Sequence, residues 1–394
     1  MPINVGFDRE RLQQKISVLF VFRRNRAEWL RSWQAGKGSS EFLYGMPYLD
    51  RSRFDVDFVE GDDASRDWRR RVCFPLEWGI SRRVGIGFGL HISWIHWQKI
   101  RRADLVISTV DTCGLPLAML KYLGLLKTPL IYISQGLAHR MEVLTLDKAL
   151  NRSIRSMYAR SLNSVEKILV LGEGAVQPLA EVFGLPSGRV SAVPFGTDDE
   201  FWQPAAREDL GGYILSVGSD AARDYPTLLR AVDGRDLRLV TRQRIPSELL
   251  SETVRVSSNH TELELRELYR GAYFVVIPLK DVDQPSGQSA TLQAMACGKA
   301  VILTRTQGLW EPDQMHHLES CYLVRPDDVN GLREAISYLS DHPGEAMRIG
   351  QNARRLVEER YSSRRFATDL ERHISGVLAL NSPDVGARWT AEPS

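Results

Sequence analysis

Two short loops carry residues whose types and order suit the binding of a diphosphate. In SGQSATLQAMACGKAVILT, residues 286–304, the small and polar residues Ser286, Gly287, Gln288 and Ser289 lead into a helix. Leu292, Met295 and Ala296 mark one face of that helix at i, i+3 and i+4. Ser286–Gly287 or Ser289 opens the helix, Thr291 and Gln293 lie within it, and Gly298 stands where a left-handed residue would end it. Open N–H groups and the positive end of the helix dipole project from such a start, and glycine at 287 leaves room for an anion. The same pattern also fits any strand–helix–strand unit of an α/β protein. The second loop lies in YILSVGSDAARDYPTLLRAV, residues 213–232. Gly218 and Ser219 follow a strand, Asp220 is a candidate cap, and Arg223 stands at a helix start. A guanidinium beside open N–H groups can grip diphosphate oxygens in pairs, whereas a solvated arginine would simply pair with Asp224.

Other candidates surround these two. Gln135 closes a strand, and His139 on the same loop suits a base or a sugar contact, or else an unpartnered surface histidine. Gly36, Gly38 and Ser39 form a small-residue loop after the first strand. Asp281-Val282-Asp283 could share a hard cation. Arginine and helix ends can neutralise a diphosphate alone, so no metal and no cofactor is required. Asp55 and Asp57 fall on the polar face of a strand. His316-His317 has no further ligand at metal spacing.

The elements that position these loops alternate along the chain. Strand-like runs lie at Ile16–Phe22, Phe54–Val59, Leu105–Thr109, Leu130–Ser134, Lys167–Leu171 and Val190–Val193. A second series lies at Tyr213–Val217, Leu237–Val240, Val254–Ser257, Phe274–Ile277, Val301–Leu303 and Tyr322–Val324. Helical patterns fall between them, and a helical tail runs from Val329 to Leu378. This alternation predicts an α/β protein of two Rossmann-like doubly wound domains, with ligands in the facing cleft outside the carboxyl ends of the strands. The Pro- and Gly-punctuated stretch at 194–212 separates them.

Composition sets the remaining bounds. With 51 basic against 49 acidic residues among 394, no global basic field suggests a nucleic-acid partner. Cys73, Cys113, Cys297 and Cys321 lack paired metal spacing and fit reduced thiols of a cytoplasmic protein. The N-terminus, with Asp8, Arg9, Glu10 and Arg11, has no signal-peptide core, and no apolar run reaches a membrane span, so a soluble protein is expected. Six tryptophans interleave with arginines in the first hundred residues. GIGFGLHISWIHWQK, residues 85–99, reads either as a core helix or as a segment for peripheral contact with an anionic membrane on the inner face of the cell membrane.

Three long stretches carry a family resemblance. KILVLGEGAVQPLAEVFGLPSGRVSAVPFGTDDEFWQP resembles the inter-domain stretch of the family-4 (group 1) retaining glycosyltransferases of GT-B fold. ELRELYRGAYFVVIPLKD and LQAMACGKAVILT are similar to the segments around that family's donor loop. The resemblance implies an acceptor-binding domain over 1–195, a linker at 196–211 and a nucleotide-sugar domain over 212–362. Residues 363–394 would be a helix crossing back to the first domain and a loose tail. It implies transfer of a sugar from a nucleotide-diphosphate sugar to a glycan or lipid-linked acceptor. By the same resemblance the donor lies against Gly218, Ser219, Asp283, Ser286, Gly287, Gln288, Ser289, Thr291 and Gln293, with the acceptor at the first-domain loop of Gly36, Gly38 and Ser39. Arg223, Gln135 and His139 then stand nearest the chemistry. The chain departs from the family at its paired glutamates, where Pro285 and Gln293 stand, at one diphosphate cation, replaced by Ser219, and at a first-domain histidine, replaced by Gln135. These departures leave two rivals, a non-catalytic scaffold or binding subunit and a nucleotide-sugar epimerase or hydrolase.

Overall fold

The computed structural model describes residues 15–61, 67–142, 148–206 and 212–381. The N-terminal Asp8–Arg11, the linker residues 207–211 and the tail from 382 lie outside the described residues. Two six-stranded parallel sheets organise the chain. The first holds β1 (Ile16–Phe22), β2 (Phe54–Glu60), β3 (Leu105–Ser108), β4 (Leu130–Ser134), β5 (Lys167–Val170) and β6 (Val190–Ala192), in the order β2-β1-β3-β4-β5-β6. The second holds β7 (Tyr213–Val217), β8 (Leu237–Val240), β9 (Val254–Ser257), β10 (Ala272–Ile277), β11 (Val301–Thr304) and β12 (Tyr322–Val324), in the order β12-β11-β10-β7-β8-β9. Helices cover both faces, so the central strands are continuous apolar runs; every residue of β3, β4, β7 and β11 is buried.

In each sheet the strand order reverses beside the first strand. The switch points therefore lie between β1 and β3 and between β7 and β10, and the loops leaving those strands frame a crevice in each domain. The helices are α1 (Arg26–Gln34), α2 (Trp68–Val84), α3 (Leu90–Ile95), α4 (Trp97–Arg102), α5 (Asp111–Tyr122), α6 (Leu137–Glu142), α7 (Lys148–Asn163) and α8 (Val176–Phe183) in the first half. The second half adds α9 (Tyr225–Ala231), α10 (Glu262–Arg270) and α11 (Gln288–Ala296). The expected single helical tail is broken into α12 (Val329–Asp341), α13 (Pro343–Leu356) and α14 (Ser363–Asn381). Pro343 starts α13 because it cannot continue α12, and a five-residue π turn, Val357–Tyr361, precedes α14. The last helix packs on the first domain. Phe366 meets the Tyr44 ring at 6.4 Å, and Glu371 accepts the Asp50 N–H at 2.7 Å.

The domains share one core cluster that runs through the connecting stretch. Trp202 is buried there, edge-on to Phe201 at 4.9 Å and to Tyr269 at 5.7 Å. All four cysteines are free and buried. Among the described residues no helix is long and apolar enough to cross a membrane. The segment 85–99 belongs to the core: Ile86, Phe88 and Ile92 are buried in the first domain, since their spacing turns them inward, and only Trp94 is exposed among its aromatic residues.

Candidate active site

The loops leaving β7 and β10 meet at the second switch point and are stitched together. Asp224 N–H donates to Pro278 O at 3.1 Å, and Lys280 N–H donates to Ala222 O at 2.8 Å. The helix cap is Asp224, whose side chain accepts the Thr227 N–H, rather than the candidate Asp220. Asp224 is thereby used, and Arg223 is free of the solvated pairing considered above. Its side chain is instead 3 % exposed and threads between two glycines. A Cβ at Gly218 would lie 2.0 Å from Arg223 Nε, and one at Gly287 would lie 3.0 Å from Nη1. Asp220 Oδ2 is 3.0 Å from Nε as an ion pair, without hydrogen-bond geometry, and neither Nε nor Nη1 has a hydrogen-bond partner among the described residues. A buried guanidinium left this way is costly unless a ligand completes it. Gly218 also has φ 148°, so Gly218→Ala combines backbone strain with a clash on the guanidinium. It should lower stability by about 2 kcal/mol in denaturant titration, and an unchanged midpoint would show that the loop yields freely.

Gly287 is the N-cap of α11 at φ 73°, and no side chain caps the helix, so neither Ser286 nor Ser289 performs the capping role their types suggest. The first N–H groups of the helix are left for an anion, beside Arg223. Ser219 lies on the outer side of the loop, where its Oγ accepts the Arg242 N–H at 2.9 Å. Lys280 Nζ donates to Ala221 O at 3.2 Å.

A cleft of about 340 Å³ opens between the domains in front of α11. Ser286, Gly287, Gln288 and Ser289 line one wall, Gln135 and Gly136 face them, and Phe42 and Tyr44 close one side. Gln135 uses both amide hydrogens, on Tyr44 OH at 2.6 Å and on Thr109 O at 2.8 Å, which leaves its carbonyl oxygen to accept from a ligand hydroxyl. Its main chain is held by Asp111, a buried carboxylate that also accepts from Tyr132 OH and Ser134 Oγ. Burial pushes the Asp111 carboxyl up, and these hydrogen bonds oppose the shift. Arg140, on the same wall, donates to Gly85 O at 3.1 Å. Sequence reasoning missed Asp111 and Arg140; the only local signal was their position after strand ends.

Several expected cleft residues also make contacts across the domain boundary. His139 Nδ1 lies 2.7 Å from Asp283 Oδ1 across the cleft, and Gln288 Nε2 donates to Leu171 O at 2.8 Å. Asp281 accepts the Gln307 N–H at 3.0 Å, so the two aspartates of the D-x-D face different partners. Among the described residues no three His, Cys, Asp or Glu side chains gather as a metal site. Ser39 donates through its N–H and Oγ to Glu262 of α10 at 3.0 and 2.7 Å, and Gly38 abuts the same carboxylate. Gly36 lies at φ 67° beside open space, and none of these three lines the cleft. Thr291 is fully buried.

Gln293 is the largest departure from expectation, because it points away from the donor crevice. Its Nε2 donates to Glu41 Oε1 at 2.5 Å and its Oε1 accepts from Tyr269 OH at 3.2 Å. Glu41, buried in the first domain, also accepts from Thr197 Oγ1, Asp198 N–H and Trp202 Nε1 at 3.0, 3.2 and 2.8 Å. Burial, with the Glu262 charge second, raises the Glu41 carboxyl to about 7. A second cavity, about 360 Å³, lies at the opposite end of the second sheet. Arg354 and Arg270 there are engaged by main-chain carbonyls, so it lacks the free donors of the cleft.

The arrangement of two six-stranded parallel sheets with one cleft between their domains has relatives. The family model for glycosyl transferases group 1 matches residues 223–342, which begin at Arg223 and include α11. Residues 223–342 are thus similar to a group 1 glycosyltransferase domain. An MMP α-(1→4)-mannosyltransferase of Mycolicibacterium hassiacum is 27 % identical over 226 residues, and the match spans about half of each chain, 52 % of this one and 53 % of the relative. Among solved structures, sucrose-phosphate synthase from Thermosynechococcus elongatus superposes with a TM-score of 0.67 at 16 % identity, over 93 % of this chain and 100 % of that one. Anabaena HepE in complex with UDP superposes at 0.64 and 13 % identity, over 92 % and 100 %. At such identities the likeness concerns the fold, and that fold is GT-B.

Proposed function

We propose that the protein is a retaining glycosyltransferase that moves a hexosyl group from a nucleotide-diphosphate sugar to a hydroxyl of a glycan or lipid-linked acceptor. The observation that carries this reading is the buried Arg223 guanidinium, unpartnered at Nη1, between Gly218 and Gly287 at the open start of α11. A diphosphate supplies paired anionic oxygens to that guanidinium and to the helix N–H groups together, without a metal. The group 1 domain match and the UDP bound in the HepE structure support the same donor class.

In the proposed reaction the bond between C1 of the sugar and the diphosphate oxygen breaks, and the acceptor oxygen bonds to C1 on the same face. The departing diphosphate takes the acceptor's proton, so no protein nucleophile or base is needed. Arg223 and the start of α11 stabilise the negative charge that grows on the leaving oxygen. Gln135 accepts from a sugar or acceptor hydroxyl, while His139 with Asp283 closes the cleft over the reacting groups.

One observation favours a second reading, a binding subunit without turnover: the Gln293 amide is held by Glu41, so α11 presents no acid to the cleft. A panel of UDP, GDP and dTDP sugars, carrying mannose and glucose, separates the two. The transferase reading expects a thermal shift with one nucleotide class and acceptor-dependent release of nucleoside diphosphate. A shift without release in any acceptor mixture supports the binding subunit, and release without acceptor supports a hydrolase. No shift with any member refutes the donor site.

A further inference from the structure

The first domain carries a surface that the cleft does not explain. Helix α2 buries only Cys73, Glu77 and Val84, at i, i+4 and i+11, against the domain. Its outer side exposes Trp68, Val72 and Leu76 in one row at i, i+4 and i+8, and Phe74 and Trp78 in another at i, i+4. These five side chains are 50–59 % exposed. Arg71 and Arg82 fall between the two rows, and Arg82 lies over the Trp78 ring at 4.9 Å. Trp94 extends the patch, edge-on to Trp68 at 5.3 Å. Single exposed apolar residues are ordinary on a soluble surface, but five on one helix are not.

Phe74 and Trp78 also rim a crevice of about 330 Å³ at the switch point between β1 and β3. Arg23 and Arg24, from the loop after β1, and Arg70 of α2 line it, with Thr112 of α5 at its side and the Glu77 carboxylate also present, paired with His91 at 2.9 Å. Aromatic rings beside arginines, with a basic crevice open next to them, match the interface of an anionic bilayer: rings at headgroup depth, guanidinium groups on phosphates. The residue after α2, Gly85, accepts from Arg140 of the cleft wall, so a bilayer against α2 would lie beside the acceptor side of the cleft.

We propose that α2 docks the protein in the plane of an anionic phospholipid bilayer, with a headgroup phosphate in the crevice of Arg23, Arg24 and Arg70. The inference does not depend on the transferase reading, because vesicle binding needs neither donor nor acceptor. The test is co-sedimentation of the full chain with vesicles of phosphatidylcholine containing about a third phosphatidylglycerol. Binding is expected at low salt, with a loss of about tenfold or more in Trp68→Ala/Phe74→Ala/Trp78→Ala and a similar loss in Arg71→Glu/Arg82→Glu. Both variants change exposed side chains, and their melting temperatures and nucleotide-sugar thermal shifts should match the parent, which separates lost docking from lost fold. No binding at low salt, or equal binding by parent and both variants, overturns the proposal. So does self-association of the parent that the triple variant abolishes in the absence of any vesicle binding, which would make α2 a contact between copies of the chain.

Discussion

Arg223→Ala should lower turnover about 10²–10³-fold, the usual consequence of losing one donor to a developing oxyanion. The same variant should leave the unliganded protein at least as stable as the parent. That pairing follows from the geometry. Arg223 is buried, its Nη1 is unpartnered, and its one ion-pair partner, Asp220, is half exposed and poorly aligned. A charge held this way contributes little to folding and imposes a desolvation cost, so its removal is neutral or stabilising by about 1–2 kcal/mol. Arg223→Lys keeps the charge but cannot offer two parallel N–H groups, so its turnover should fall between those of parent and alanine variant. Turnover in Arg223→Ala within about threefold of the parent would remove this residue from the chemistry. A large fall in unliganded stability would make it structural instead.

Gln293→Glu should destabilise the protein by about 2–4 kcal/mol at pH 8, and less at pH 6. It would set a second carboxylate 2.5 Å from Glu41 in a buried site, where only one of the pair can ionise. The exchange Glu41→Gln/Gln293→Glu should restore most of that loss. It keeps one acid and one amide, and the amide carbonyl introduced at position 41 could still accept from Thr197, Asp198 and Trp202. Lack of rescue would show that the network is not read through charge. The parent carries its own pH signature here. Glu41 has a folded value of about 7, above its ordinary 4.5, so the stability it contributes is fully present below about pH 4.5. That contribution is lost as pH rises through about 7, on the order of 3 kcal/mol in all. Against Glu41→Gln, which cannot titrate, the parent should therefore weaken across that window and no further above it. Chemical denaturation at several pH values reads both effects.

The fold was legible because buried parallel strands write themselves as short apolar runs. Ile16–Phe22, Leu130–Ser134, Tyr213–Val217, Leu237–Val240, Val254–Ser257 and Tyr322–Val324 coincide with the observed strands, and the other six differ by at most two residues at an end. The placement of Arg223 and Gly287 side by side is legible for a related reason: each sits on the loop of a strand whose end fixes its position. Glu41 was not. Its partners Thr197, Asp198, Trp202 and Gln293 lie 156 to 252 residues away, and no local period records such a meeting. The same blindness assigned Gln293 to the donor and Ser39 to an acceptor, although both side chains hold one domain to the other. The aromatic and basic residues of the first hundred were visible as a composition, but only the burial of Ile86, Phe88 and Ile92 shifted the exposed set to α2.

In the proposed site Arg223 and the start of α11 receive the outer phosphate of a nucleoside diphosphate. Calorimetric titration of the parent and Arg223→Ala with a nucleoside diphosphate and the matching monophosphate tests it directly. The parent should bind the diphosphate about 10- to 100-fold more tightly, and the variant should lose most of this preference while its affinity for the monophosphate changes little. A preference of the same size in both proteins would contradict it.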